Sequence, residues 1–166
     1  YDRLSGERIS IKPRPRKGEE TYKWNWNTPL IISHHSNTRL YLMANKVFRS
    51  DDRGNSWTAV SGDLTRADPS TLGHSGGPIT GDMNGPEVYA TIFAVGPSKI
   101  DVDVIWVGSD DGLVHVTRDG GANWTDITPP DMPDFGRVSQ IDASAFDDVR
   151  WHPSWGPVSA RAYHAP

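Results

Sequence analysis

The chain has 166 residues, 36% of them apolar and 23% charged, which are the proportions of a globular domain rather than of a disordered or membrane-embedded chain. A formal net charge of −4 argues against nucleic acid as a partner, and the absence of cysteine excludes disulfides, thiolate metal sites and cysteine nucleophiles together. No run approaches the ~18 apolar residues of a membrane span and no signal peptide opens the chain, so a soluble protein with no membrane partner is expected, its compartment left open.

In chain order, residues 1–20 read as an outer strand and linker. Residues 12–17 alternate basic side chains with proline, the composition of an extended solvated connection, with a docking patch as the alternative. Residues 21–62 form a first unit with strands expected at 29–33, 39–44, 46–50 and 57–60. Residues 63–128 form a second, with strands at 88–95, 104–108, 113–117 and 124–127 and a long inserted loop. Leu40, Leu42, Val47, Ile105, Val107, Val114 and Val116 alternate or cluster as sheets stacked face to face require. A third unit opens within 129–147, at 138–143, and 148–166 is set apart as an atypical tail. The expected fold class is all-β, with no helical stripe of useful length.

Two segments share one signature sixty-seven residues apart: Ser50-Asp51-Asp52-Arg53-Gly54-Asn55-Ser56-Trp57 and Thr117-Arg118-Asp119-Gly120-Gly121-Ala122-Asn123-Trp124. Each has a short side-chain oxygen and a carboxylate to hold a tight turn, a glycine free to take positive φ, and an aromatic to pin the turn to the sheet. This pattern is the Asp-box. Two short β-rich runs before each box and one after it spell a four-stranded antiparallel meander.

The chain resembles the bacterial sortilin-like propeller proteins, whose Asp-box (BNR) repeats are shared with sialidases, xyloglucanases and sortilin receptors. The matching stretches are Trp24-Asn25-Trp26-Asn27-Thr28-Pro29, Ser75-Gly76-Gly77-Pro78-Ile79-Thr80, Trp106-Val107-Gly108-Ser109-Asp110-Asp111-Gly112 and both boxes, over roughly residues 1–147. The resemblance implies a partial β-propeller of antiparallel four-stranded blades, a fragment of two to three blades of a longer protein. A propeller works by closing a ring of ~4 to 8 blades, so completion by homo-oligomerisation is expected. A homotrimer closes six blades from two per chain. A homodimer does so if residues 8–12 serve as the outer strand of a composite blade whose inner strand is 138–143.

Chemistry is expected where loops converge on the channel: 24–28, 73–89 and 131–137. The glycine-rich second loop offers His74, Asp82 and Glu87 as catalytic acid and base groups, with Asn84 and Tyr89 beside them. Trp24, Trp26 and Asn27 fit a carbohydrate platform, with interblade packing as the alternative for the tryptophans. Tyr89 and Arg137 are further ligand-binding candidates. His34, His35 and His74 are the candidate ligands for a divalent metal such as zinc or manganese, more so if symmetry gathers them from several chains. His115 alternates with Val114 and Val116 and reads as structural. Ser75, in Gly-His-Ser-Gly-Gly, lacks the strand-to-helix setting of a hydrolase nucleophile. Two functions remain. One is an oligomerising scaffold or binding module for a glycan, peptide or small ester. The other is a metal-dependent hydrolase of ester, phosphoester or glycosidic bonds.

Overall fold

A computed structural model describes residues 3–73, 79, 81 and 88–146, together with the strand backbone of 151–156. The described chain is all-β. Its first sheet has the order β1-β2-β3-β4, with β1 at Leu30–Ile32, β2 at Leu40–Met43, β3 at Val47–Ser50 and β4 at Thr58–Ala59. The second repeats that order as β5 (Ile92–Pro97), β6 (Ile105–Ser109), β7 (Val114–Thr117) and β8 (Thr125–Asp126). Every neighbouring pair in both sheets is antiparallel. One 3₁₀ turn, Pro69–Thr71, is capped by the Asp68 carboxylate. Among the described residues no helix is long and apolar enough to cross a membrane.

The expected strands fall close to the observed ones, with one displacement. The first strand of the second sheet runs Ile92–Pro97 rather than 88–95. The Asp110 carboxylate accepts from the Thr91 N–H and hydroxyl, holding the chain just ahead of the strand outside the ladder, and the register slips between Ile92 and Ala94.

Alternation sends successive side chains to opposite faces of each sheet. Tyr41, Met43 and Val47 of the first sheet bury against Ile92, Ile105 and Val107 of the second. The other face of the second sheet, with Ala94, Trp106, Val114 and Val116, receives Val138 and Ile141. These last two stand on β9 (Arg137–Ala143), which pairs antiparallel with β10 (Trp151–Gly156). Part of the segment set apart as an atypical tail, for its departure from the family pattern, therefore pairs with β9 as the second strand of the third unit. A fully buried side chain of this size contributes roughly 1.5–3 kcal/mol, so these two seams hold the sheets in a stack.

The β2–β3 part of the outward face of the first sheet is covered from the N-terminal side. Tyr22 and Trp24 pack on Leu42, Ala44 and Phe48, the Trp24 ring lying 6.1 Å from that of Phe48 at 18°. The Lys12 ammonium sits 4.3 Å over the Trp24 ring, so the basic run begins docked on the sheet rather than solvated throughout. Residues 8–12 form no strand within the chain.

Both repeated turns form as their residues dictate. The Ser50 hydroxyl donates to Asp52 (2.8 Å) and accepts from the Gly54 N–H (2.7 Å), while Asp52 accepts from the Ser56 N–H (2.8 Å). Thr117, Asp119, Gly121 and Asn123 repeat the network at 2.8, 2.9 and 2.8 Å. Gly54 and Gly121 take φ of 91° and 102°, the conformation the motif reserves for glycine.

Candidate functional site

The polar cluster of this molecule grows from a difference between its two sheets. Three residues separate the paired Met43 and Val47 in the first, and five separate Gly108 and Val114 in the second. The two extra residues put Asp110 and Asp111 into the β6–β7 loop. Both are buried, at 5% and 1% exposure.

Asp110 reaches the entrance of β5, accepting from the Thr91 N–H and hydroxyl at 2.8 Å each. Asp111 accepts from the Arg66 N–H (2.9 Å) and the Ala67 N–H (3.2 Å), and its carbonyl takes the Arg66 Nε–H (2.9 Å). Its Oδ1 has no hydrogen-bond partner among the described residues. Gly112, at φ 91°, lies against the backbone of Gly136, leaving 3.1 Å to the position a Cβ would take. The loop thus bridges the segment entering the second unit and the segment entering the third.

Burial drives the Asp110 carboxyl up to about 6, against the opposing pull of its bonds to Thr91, with the Asp111 charge adding to the rise. Tyr89 is raised by its own burial and then by the charges of Asp110 and Asp111. The Arg66 guanidinium lies 5.5 Å from the Phe135 ring centre, and that of Arg137 lies 4.8 Å from the Phe93 ring centre. Arg137 Nε is buried and has no partner among the described residues. Ala90 and Phe135, two residues ahead of β5 and β9, and Ala67, bonded to Asp111, all take positive φ, conformations that non-glycine residues avoid. The arrangement offers a buried acid of raised pKa, an unsatisfied carboxylate oxygen and two arginines on aromatic faces.

Of the residues expected from sequence, Tyr89 stands just ahead of β5 and Arg137 opens β9. His74, Asp82 and Glu87, with Asn84 and Ser75, lie outside the described residues. Trp24 is taken up by packing on Phe48, whereas Trp26 is 70% exposed, and the Asn27 N–H is turned onto the Asn25 side chain at 3.0 Å. His34 and His35 follow the end of β1, away from the β6–β7 loop. His35 Nε2 lies 3.0 Å from the Ser98 carbonyl, and His34 lines a groove of about 450 Å³ with Ile31, Val95, Lys99 and Asp142. Among the described residues no group of three or more His, Cys, Asp or Glu side chains gathers to hold a metal. His115 is half-buried and its pKa is lowered, by burial first, while Asp126 and Asp111 oppose the shift.

The Asp110–Asp111 pair was not singled out by sequence reasoning as a site, although it lies in a quoted stretch. The signal was there, in the two-residue excess that appears when the segments ahead of the two boxes are aligned.

No protein-family model matches the sequence, and no curated protein matches it. Among solved structures the chain is similar to the Niastella koreensis GH74 enzyme at 13% identity and a TM-score of 0.34, over 74% of this chain and 26% of that one. The chain therefore spans about a quarter of that enzyme's length.

Proposed function

We propose that this chain is a stretch of Asp-box β-propeller of the sortilin-like kind, two whole blades and the start of a third. In this reading it acts as a self-associating binding module. The ligand, a glycan, peptide or small ester, is taken on the face where the β6–β7 loop meets the segments entering β5 and β9. The observation that carries the reading is the extra Asp110–Asp111 pair. The repeat builds its first sheet without it, and in the second the pair ties Thr91, Arg66 and Ala67 to the β6–β7 loop. Arg137, Tyr89 and Phe93 supply the hydrogen-bonding and stacking groups around it. Leu30 and Ile32, 54% and 61% exposed on the innermost strand, favour closure by further copies, as a homodimer or homotrimer.

Calorimetric titration with soluble oligosaccharides and short peptides tests the binding reading, comparing the unaltered chain with Arg137→Ala and Tyr89→Phe. A ligand whose affinity falls at least tenfold in the variants supports it. Equal affinity throughout sends the ligand to another surface.

Asp110 supports a second reading, hydrolysis, because a carboxyl at about 6 is suited to proton transfer near neutral pH. A divalent metal, zinc or manganese, would then need His or carboxylate ligands beyond the described residues, among which no group of three gathers. Turnover of chromogenic esters, phosphoesters or glycosides that Asp110→Asn abolishes marks the enzyme, and loss on chelation marks the metal. Binding without turnover returns the protein to the first reading.

A further inference from the structure

The two repeated turns make the same pair of contacts with what precedes them. Trp124 donates its indole N–H to the Val60 carbonyl at 2.8 Å, and Gly121 packs against the same Val60, just beyond β4. In the first sheet Trp57 donates to the Ile11 carbonyl at 2.6 Å, and Gly54 packs against Ile11. Ile11 therefore stands in the first sheet's surroundings where Val60 stands in the second's. Residues 8–12 hold the place of an outermost strand belonging to a unit ahead of β1, and no described strand of this chain pairs with them.

A unit ahead of β1 would find room for its inner strands beside β1. Register puts Leu30 opposite Leu42 and Ile32 opposite Leu40, so all four share one face of the first sheet. In the second sheet the equivalent face, with Ile105 and Val107, is buried by the sheet before it. At the other end of the chain, β9 and β10 pair as the first and second strands of a unit and are joined to no outer strand among the described residues.

We propose that a second copy of this chain shares the unit, the two copies supplying its first, second and outermost strands. The β9–β10 hairpin of one copy packs on the Leu30–Ile32 face of the other, whose residues 8–12 supply the fourth strand. This rests on the propeller reading above. The same chain carries an inner hairpin at one end and an outer strand at the other, three of the four strands of such a unit. Two copies joined in this way at both ends close a ring of six units, within the usual range of ~4 to 8.

The absence of cysteine makes the contact directly testable. A Cβ on Gly96 would lie 3.4 Å from the Ile141 Cβ, close to disulfide geometry of roughly 3.5–4.5 Å, so Gly96→Cys with Ile141→Cys in one chain reports packing of the second and third units. Gly96 pairs with Trp106 as Ile31 pairs with Tyr41, and Val95 pairs with Val107 as Leu30 pairs with Leu42. The counterpart of the Gly96–Ile141 contact is then Asp142 of one copy against Leu30 of the other. Singly substituted Asp142→Cys and Leu30→Cys chains, mixed and oxidised, are expected to give a disulfide-linked heterodimer as the main product, and the unaltered chain a light-scattering mass of two chains. Ile32→Asp is expected to reduce that mass to one chain while leaving the internal disulfide able to form. If the internal disulfide forms and the mixed one does not, the shared unit is wrong and the packed units stand. If neither forms, the propeller reading fails with it. A cross-linked species whose unaltered mass is three chains overturns closure by two.

Discussion

Gly121 lies so close to Val60 that a methyl group in place of its hydrogen would stand 2.6 Å from the Val60 carbonyl oxygen and 2.8 Å from its Cβ. Backbone cannot step aside as a side-chain tip can, and φ here is 102°. Gly121→Ala is expected to destabilise the fold by about 2–4 kcal/mol in urea denaturation. Gly54→Ala meets the movable end of the Ile11 side chain, Cδ1 at 2.8 Å, and is expected to cost about half as much. Equal costs would mean that the Ile11 contact is as rigid as the Val60 one.

Arg53 occupies, at φ 61°, the turn position that Gly120 fills at 68° in the second box. A left-handed conformation costs a branched or long residue roughly 1–2 kcal/mol, partly offset in glycine by a looser unfolded chain. Arg53→Gly is expected to raise stability by about 0.5–1 kcal/mol, read as a higher midpoint in thermal denaturation. A lower midpoint would show that the Arg53 side chain makes a favourable contact that outweighs the strain.

Two sets of carboxylates give the stability–pH curve opposite slopes. Asp52 and Asp119 are held at about 2 by bonds from Ser56 and Asn123 above all, below an unfolded value near ~3.9. Their contribution is present above ~4 and is lost as pH falls towards 2. Asp110, raised by burial to about 6, stabilises the fold in its protonated form, a contribution complete below ~4 and lost as pH rises through 6. Melting temperature should therefore climb from pH 7 to about 5 and drop below 4. In Asp110→Asn the limb between 5 and 7 should flatten while the acid limb stays. An unchanged upper limb would show that Asp110 is ionised throughout.

Trp106 is fully buried, and its indole N–H has no hydrogen-bond partner among the described residues. Trp106→Phe removes that unsatisfied donor along with some volume and is expected to cost about 1 kcal/mol or less, whereas Trp106→Ala, which leaves a large cavity, should cost about 3–5 kcal/mol. Chemical denaturation of the two variants checks the contrast. Similar losses would point to an unseen partner for the indole.

The strands were legible because local signals and tertiary packing agree. Val47, Val114 and Val116 alternate in sequence and bury in the structure, and both boxes form the turns their Ser/Thr, Asp and Gly residues encode. The start of β5 was misplaced because Thr91 is drawn to the Asp110 carboxylate, a partner nineteen residues away that no local pattern announces. The candidate site was half legible. Tyr89 and Arg137 were picked for their loops, but the buried carboxylates that accompany them come from a hairpin whose extra length has meaning only beside its shorter counterpart. His34 and His35 attract attention as a pair, yet His35 is engaged by the Ser98 carbonyl, a contact made by the convergence of two strand ends.

The bond from Trp124 to Val60 ties the turn of one sheet to the end of the sheet before it, across 64 residues of chain. Such a fastening makes neighbouring repeats share their fate. When β4 frays, the Val60 carbonyl leaves with it, the indole loses its acceptor, and the second turn loosens before its own bonds have broken. Amide hydrogens of the two sheets should then exchange in one cooperative opening rather than sheet by sheet.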